Sequence, residues 1–182
     1  MNSEAGFADE AAACTPSDWE QVLQSRLRLF GHRNWLVVAD SAYPAQCSEG
    51  IETIVANADH RLIVETVLAT IQASAHVKAT VYADKELTFV DEKDAPGVDA
   101  YRSWFNRIAR DVRVLPHEEI ISKLDRAGRS FRVLVIKSGL TIPYTSVFFE
   151  MDCAYWNANA EKRLRSAMNK GKKARRLPQV RS

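Results

Sequence analysis

The first regular pattern in the chain is helical. Apolar residues recur at the three- and four-residue spacing of an amphipathic helix, at Trp19, Val22, Leu23, Leu27 and Phe30. Ser17 and Glu20 have the spacing of a capping box, in which the two residues satisfy each other's backbone N–H groups. Gly31 is a typical helix terminator. The pattern therefore predicts a helix between Ser17 and Gly31, with His32 directly after its end.

Short apolar segments further along the chain predict the strands of a sheet. Residues 34–40 (NWLVVAD) have a continuous apolar middle, which is typical of a strand that is buried on both faces. Residues 77–83 are expected to form a strand or an edge element. The remaining segments with the pattern of a strand are residues 50–58, 111–116, 131–139 and 144–152.

Helices are predicted between these strands. Asp59 is a suitable N-cap for a helix over residues 59–74. Further helical patterns cover residues 98–110, 117–128 and 157–170. Because strands and helices alternate for most of the length, the sequence predicts the α/β class, with a single layered domain in which a mainly buried sheet is flanked by helices.

Composition narrows the class of protein. The chain has 182 residues, of which 46% are hydrophobic, so we expect one folded domain. No segment approaches the roughly 20 apolar residues of a membrane span, and the acidic N-terminus does not resemble a secretory signal. Cys14, Cys47 and Cys153 are too few and too far apart to indicate a disulfide framework or a zinc site. These features favour a cytoplasmic protein without a membrane partner.

Charge is unevenly distributed, although the formal net charge is only +2. Residues 161–182 contain nine lysines and arginines and one glutamate, whereas the rest of the chain contains 16 basic and 22 acidic residues. Residues 1–16 are small and polar and lack periodicity, so we expect them to be disordered. The predicted domain covers residues 17–156, and residues 157–182 form a tail that is first helical and then basic.

Several common catalytic motifs are missing from the sequence. There is no Gly-rich phosphate loop, no GxSxG nucleophile elbow and no HExxH zinc motif. Nucleotide-driven chemistry, the common hydrolases and zinc catalysis are therefore disfavoured. Ligands of α/β sheets usually bind at the carboxyl ends of the strands, where Asp40, Lys137 and His117 are expected.

Each candidate residue, taken alone, has an ordinary structural explanation. His32 follows a helix end, where the helix dipole favours a cation, and a histidine there is often a simple cap. Asp40 would serve equally well as the cap of a loop, and His117 as the first residue of a helix. Tyr144, taken singly, is most typical of a core residue. Only the whole set of candidate residues indicates a function.

As a set, they resemble the ribose pyranase / fucose mutarotase (RbsD/FucU) family. The segments GHRNWLVVADSAYP (31–44) and KSGLTIPYTSV (137–147) are similar to its two signatures. Asp40 follows His32 by eight residues, as in the family, and a His-Glu pair begins at His117. Lys137, Ser138 and Gly139 match its basic-hydroxyl-Gly triplet, and a Pro-Tyr pair follows. The order agrees over roughly residues 18–150.

The chain also departs from the family pattern. Asn34 replaces an Asp, Leu140 replaces a Glu, and Thr145-Ser146 replaces Ala-Asn. Ser146 stands where the family's pattern has a sugar-binding amide, and serine has less reach and fewer donors. The residues from Cys153 onward are an addition that the resemblance does not explain.

The resemblance implies a fold and an activity. It implies an RbsD-like fold and an isomerase that interconverts anomers or ring forms of a free fucose- or ribose-like sugar, with no cofactor and no metal. His32 would be the catalytic proton donor and acceptor. A homo-oligomer, often a decameric ring, is expected, with pockets near the subunit contacts. The implied sugar-binding residues are Asp40, His117, Lys137, Tyr144, Thr145 and Ser146.

Three other hypotheses remain open at this point. The altered family positions favour a sugar-binding or sensing module without turnover. The basic residues 170–176 would neutralise phosphates of a nucleic acid, although the tail has no aromatic residue after Trp156 to stack on bases. Leu164 and Met168, four residues apart, would let the tail helix pack on a neighbouring subunit.

Overall fold

The computed structural model describes residues 18–174, with side chains described up to residue 170. The predicted disorder of residues 1–16, the Ser17 cap and the last eight residues of the basic tail lie outside the described range. No helix within that range is long and apolar enough to cross a membrane.

Helices and strands follow the predicted order closely. Asp59 caps its helix as expected, because its carboxylate accepts the N–H groups of Arg61 and Leu62. The α-helices are α1 (Asp18–Leu29), α2 (His60–Gln72), α3 (Val98–Ile108), α4 (His117–Gly128) and α5 (Ala158–Ala174). The strands are β1 (Trp35–Ala39), β2 (Ile51–Val55), β3 (Val77–Asp84), β4 (Arg113–Leu115), β5 (Val133–Lys137) and β6 (Val147–Cys153).

The strands form one mixed sheet in the order β2-β5-β1-β6-β3-β4. β1, β2 and β5 are mutually parallel, and β3 is parallel to β4. β6 runs antiparallel to both of its neighbours, β1 and β3. The first five strands therefore end at the same side of the sheet, which we call the carboxyl edge. The opposite side, where β1 begins and β6 ends, is the amino edge.

Both faces of the sheet are covered, as the α/β prediction required. All five residues of β1 are buried. Leu36 and Val38 pack into a large core with residues of α1, α2 and α3, whereas Trp35 and Val37 pack on the other face with residues of α4. The alternation of side chains along a strand explains how one short apolar segment serves two cores.

The sequence pattern left the position of one element open and did not predict another. β3 is an interior strand between β6 and β4, and the short β4 occupies the edge that had been considered for residues 77–83. A turn of 3₁₀-helix over Lys85–Phe89 carries no clear sequence signal. This turn leads directly away from the carboxyl edge and supplies Glu86 to it.

Candidate functional site

Six of the seven predicted site residues lie along the carboxyl edge. Asp40 follows β1, and Lys137 is the last residue of β5. His117 is the first residue of α4, directly after β4. Tyr144, Thr145 and Ser146 precede β6, which begins at this edge because it is antiparallel. The topology therefore brings together residues that are about 100 positions apart in the chain.

Asp40 is held in place by the segment before β6. The Ser146 hydroxyl donates to Asp40 Oδ2 at 3.1 Å, and the backbone N–H of Ala42 donates to Oδ1 at 2.9 Å. Ser146 is only 2% exposed, so its hydroxyl reaches the neighbouring carboxylate rather than open solvent. Asp40 itself is partly exposed and is the member of this pair that faces outward.

A carboxyl group that the sequence analysis missed lies beneath His117. Asp84 ends β3 and is 1% exposed. His117 Nδ1 lies 3.1 Å from Asp84 Oδ1, which is within ion-pair distance, but the angle does not meet hydrogen-bond geometry. Among the described residues, neither Asp84 oxygen has a hydrogen-bond partner.

Burial makes Asp84 a titratable group near neutral pH. Removal from water raises the pKa of its carboxyl to about 6, although His117 acts in the opposite direction by favouring the carboxylate. A carboxyl in this range exchanges protons readily at physiological pH. Functional sites are enriched in such groups.

His117 is positioned by its neighbours on two sides. Both oxygens of Glu86 accept its backbone N–H, at 3.0 and 3.1 Å, and place a negative charge at the N-terminus of α4. The ring of Tyr144 meets the imidazole edge-on, with the ring centroids 5.7 Å apart. Tyr144 is 38% exposed, so it lines the edge instead of filling the core as its apolar character alone had indicated.

A second missed residue supports this edge from behind. His60, the first residue of α2, is 2% exposed, and burial lowers the pKa of its imidazole to about 4. The ring is therefore neutral, with Nε2–H donating to the Thr145 carbonyl at 3.1 Å and Nδ1 lying 2.7 Å from the Ser138 hydroxyl oxygen. The Tyr101 hydroxyl donates to the same carbonyl at 2.7 Å. These bonds fix the turn that carries Tyr144.

Lys137 also stabilises the edge. Its ammonium group donates to the backbone carbonyl of Tyr43 at 2.6 Å and so ties the loop after β1 to the end of β5. Leu140, which replaces the family's Glu, packs against the large core. Its N–H donates to the Ser138 hydroxyl at 3.3 Å. Leu140 therefore strengthens the turn but adds no charge to the edge.

His32 lies at the amino edge, away from the other predicted site residues. It follows α1 and precedes β1, whose five residues span about 17 Å between His32 and Asp40. His32 Nδ1 lies 2.9 Å from Asp152 Oδ1, near the end of β6. Its side chain is 58% exposed. Within one chain, His32 therefore does not share a site with Asp40, His117 and Tyr144.

His32 instead lines a groove of about 600 Å³ at the amino edge. Arg33 and Asp152 line the same groove, together with Tyr155 and Trp156 from the segment after β6. In residues 18–174, no group of three or more His, Cys, Asp or Glu side chains is arranged to hold a metal ion.

Comparison with known proteins identifies the family. The model of the RbsD / FucU transport protein family matches residues 20–153, which is most of the chain. The chain belongs to this family. Among curated proteins, no sequence matches the chain. The resemblance in the two signature segments is thus confirmed at the level of the family, and α5 lies beyond the segment that RbsD / FucU members share.

Solved structures of family members share the RbsD / FucU fold. RbsD of Bacillus subtilis, in complex with D-ribose, is 16% identical over 84% of this chain and 98% of that chain, with a TM-score of 0.50. The fucose mutarotase of Streptococcus pneumoniae, in complex with L-fucose, is 15% identical over 70% of this chain and 89% of that chain, with a TM-score of 0.49. The first match confirms the predicted RbsD-like α/β fold.

Proposed function

We propose that this protein interconverts the anomers or ring forms of a free monosaccharide by general acid–base catalysis. The observation that carries the proposal is the unsatisfied pair at the carboxyl edge, Asp84 and His117. Buried polar atoms normally have hydrogen-bond partners, and Asp84 Oδ2 has none among the described residues, whereas Asp84 Oδ1 and His117 Nδ1 approach each other at 3.1 Å. The hydroxyl groups of a sugar are donors and acceptors of the required kind.

The chemistry of anomer exchange suits these groups. Opening the ring requires a proton on the ring oxygen and loss of a proton from the anomeric hydroxyl, and closure reverses both transfers. One acid and one base suffice for this reaction. We propose that His117 exchanges one of these protons with the sugar, and that Asp84, whose pKa is about 6, exchanges the proton with His117 in turn. Asp40 and the Tyr144 hydroxyl would bind further sugar hydroxyls.

We propose that His32 acts on a sugar bound at the carboxyl edge of a second copy of the chain. Its ring is oriented by Asp152 through Nδ1, which leaves Nε2 free to exchange a proton with a substrate. Because His32 and His117 lie at opposite edges, they meet only if the amino edge of one copy contacts the carboxyl edge of the next. Such a head-to-tail contact generates a ring when its rotation closes. This agrees with the homo-oligomer that we expect from the family resemblance.

Saturation-transfer NMR tests the activity directly. Mixed anomers of L-fucose and D-ribose are observed with and without the protein, and we expect faster exchange with at least one sugar. His32→Ala and His117→Ala should each abolish the enhancement. A wild-type protein that leaves exchange at the spontaneous rate with a panel of pentoses and deoxyhexoses would refute the proposed reaction.

A sugar-binding module without turnover is the second candidate. The burial of Ser146 favours it, since the shorter side chain holds Asp40 where the family pattern has an amide for the sugar. Calorimetric binding of a sugar without faster anomer exchange would select this function.

We also propose the domain division and cellular setting that the sequence favours. The sugar-processing domain covers residues 17–156, and the segment from residue 157 is an addition to it. Cys47 and Cys153 are free in the described structure, which suits the reducing environment of the cytoplasm.

A further inference from the structure

Two adjacent aromatic residues are exposed where the chain leaves the segment shared with the family. Tyr155 is 78% exposed and Trp156 is 44% exposed. Both line the groove of about 600 Å³ that also contains His32 and Asp152. Pockets for small molecules combine aromatic walls with a few polar groups, and this groove has both.

Trp156 is held rigidly despite its exposure. Its indole N–H donates to Glu161 Oε2 at 2.8 Å, and Arg165 Nε donates to Glu161 Oε1 at 2.6 Å. The Asn157 side chain accepts the N–H of Ala160 at 2.9 Å and so starts α5 immediately after the indole. The first two turns of α5 therefore fix the ring in one orientation. A fixed aromatic face loses little conformational entropy when it binds a ligand.

The charges in the groove favour an uncharged ligand. Arg33 and Arg165 are balanced by Asp152 and Glu161 among the lining residues. Each of these carboxylates is already engaged, Asp152 by His32 and Glu161 by Arg165. The formal charges of the two lining arginines and the two lining carboxylates therefore cancel. A neutral molecule with an apolar face and several hydroxyl groups fits the lining better.

We propose that Tyr155 and Trp156 form a stacking wall for the sugar on the His32 side of the site. The C–H groups on one face of a pyranose ring are apolar and weakly positive, and they complement the negative π face of an aromatic ring. The hydroxyl groups of the sugar then point toward His32. The inference rests on the proposed function and assigns to the segment after β6 a role in substrate recognition.

Substitutions at Trp156 separate this role from catalysis. We expect Trp156→Ala to raise KM for the preferred sugar about five- to tenfold, the loss of about one aromatic contact, with kcat within about twofold of wild type. Trp156→Phe keeps a flat ring and should recover most of the affinity. Phe89→Ala removes an aromatic ring that is 75% exposed on a different element, and should leave KM unchanged.

Binding measurements keep the inference testable if catalysis is absent. Saturation-transfer difference spectra of L-fucose and D-ribose should show contact with aromatic protons in the wild-type protein, and that contact should weaken in Trp156→Ala. An unchanged KM and an unchanged difference spectrum in Trp156→Ala would overturn the inference while leaving the proposed reaction intact. Dissociation of the assembly by Trp156→Ala, seen by light scattering, would also overturn it, because Trp156 would then be an interface contact. If the wild-type protein does not accelerate anomer exchange but its difference spectrum still shows the aromatic contacts, only the proposed reaction is refuted.

Discussion

The two edges of the sheet hold the two candidate site histidines, His117 and His32, in opposite ways. At the carboxyl edge, His60 is 2% exposed, His117 lies against a fully buried Asp84 side chain, and the surrounding turns are tied by hydrogen bonds. At the amino edge, the side chains of His32 and its partner Asp152 are 58% and 47% exposed. The groups at the carboxyl edge are therefore held in place by the fold. Under the proposed function, the exposed groups at the amino edge would complete a site only when a second copy of the chain binds there.

This contrast changes the meaning of a short sequence spacing. His32 and Asp40 are eight residues apart, and the interval looks like a local motif. The interval contains the whole of β1, however, and residues before and after a strand lie at opposite ends of it. The spacing thus reflects the length of β1 and not a contact within one copy, and under the proposed function it would constrain how two copies join.

Removing the imidazole of either His32 or His117 is expected to have the largest effect. His32→Ala and His117→Ala should each slow anomer exchange by about 100-fold or more, which is typical for the loss of a group that transfers a proton. Both side chains are at least partly exposed, so the variants should fold, as circular dichroism would verify. Exchange at the wild-type rate in His32→Ala would separate the amino edge from the reaction and leave the carboxyl edge as the whole site.

The buried His60 should respond to pH through stability. Its pKa in the folded state is about 4, below the 6.5 of the unfolded state, so the unfolded chain binds the proton more readily. The stability that neutral His60 contributes is fully present above pH 6.5 and is lost as the pH falls through about 4. This loss lowers the free energy of unfolding by about 3 kcal/mol. Urea unfolding between pH 7 and 4 should show a smaller decline for His60→Asn. Equal declines for the two proteins would show that His60 is not a buried neutral group.

Asp84 should show the opposite dependence. Its folded-state pKa is raised to about 6 from the 3.8 of an exposed aspartate, so its contribution to stability is present below pH 3.8 and is lost as the pH rises through about 6. At pH 8, Asp84→Asn should therefore raise the free energy of unfolding, by on the order of 2 kcal/mol, while slowing anomer exchange. Near pH 4 the two proteins should be about equally stable. A variant that is less stable at pH 8 would indicate a dominant ion pair with His117.

Substitution of Asp152, the partner of His32, should cause the smallest change in the exchange rate. Asp152→Asn keeps the size of the side chain but removes the charge that orients the imidazole at Nδ1. We expect exchange to slow by about tenfold, less than in His32→Ala, because the imidazole remains available. A shift in the pH profile of exchange is also expected, which a purely structural role for Asp152 would not produce. Lys78→Ala is the matched control, since Lys78 contacts Asp152 on its other oxygen at 3.8 Å.

Much of the fold follows from patterns that the sequence makes visible. The buried strand over Trp35–Ala39, the Asp59 cap and the helix at His117 were all predictable from apolar runs and capping chemistry. His60 and Asp84 were not recognised, because a polar residue at the end of a strand or the start of a helix is usually solvated. Their burial depends on groups distant in the chain, such as Thr145 and Tyr101, which contact the His60 ring. Local patterns carry no information about those contacts.

Mixed assemblies test the central claim, that a complete site needs the carboxyl edge of one copy and the amino edge of another. His32→Ala and His117→Ala chains, each inactive alone, are co-expressed with different tags, and assemblies that contain both are isolated. In a random ring, about a quarter of the head-to-tail contacts join two intact halves. The control pair, His117→Ala with Asp40→Asn, has both changes at the carboxyl edge and should not recover. We predict that the first mixture regains about a quarter of the wild-type exchange rate, and a first mixture as inactive as its parents would contradict the account.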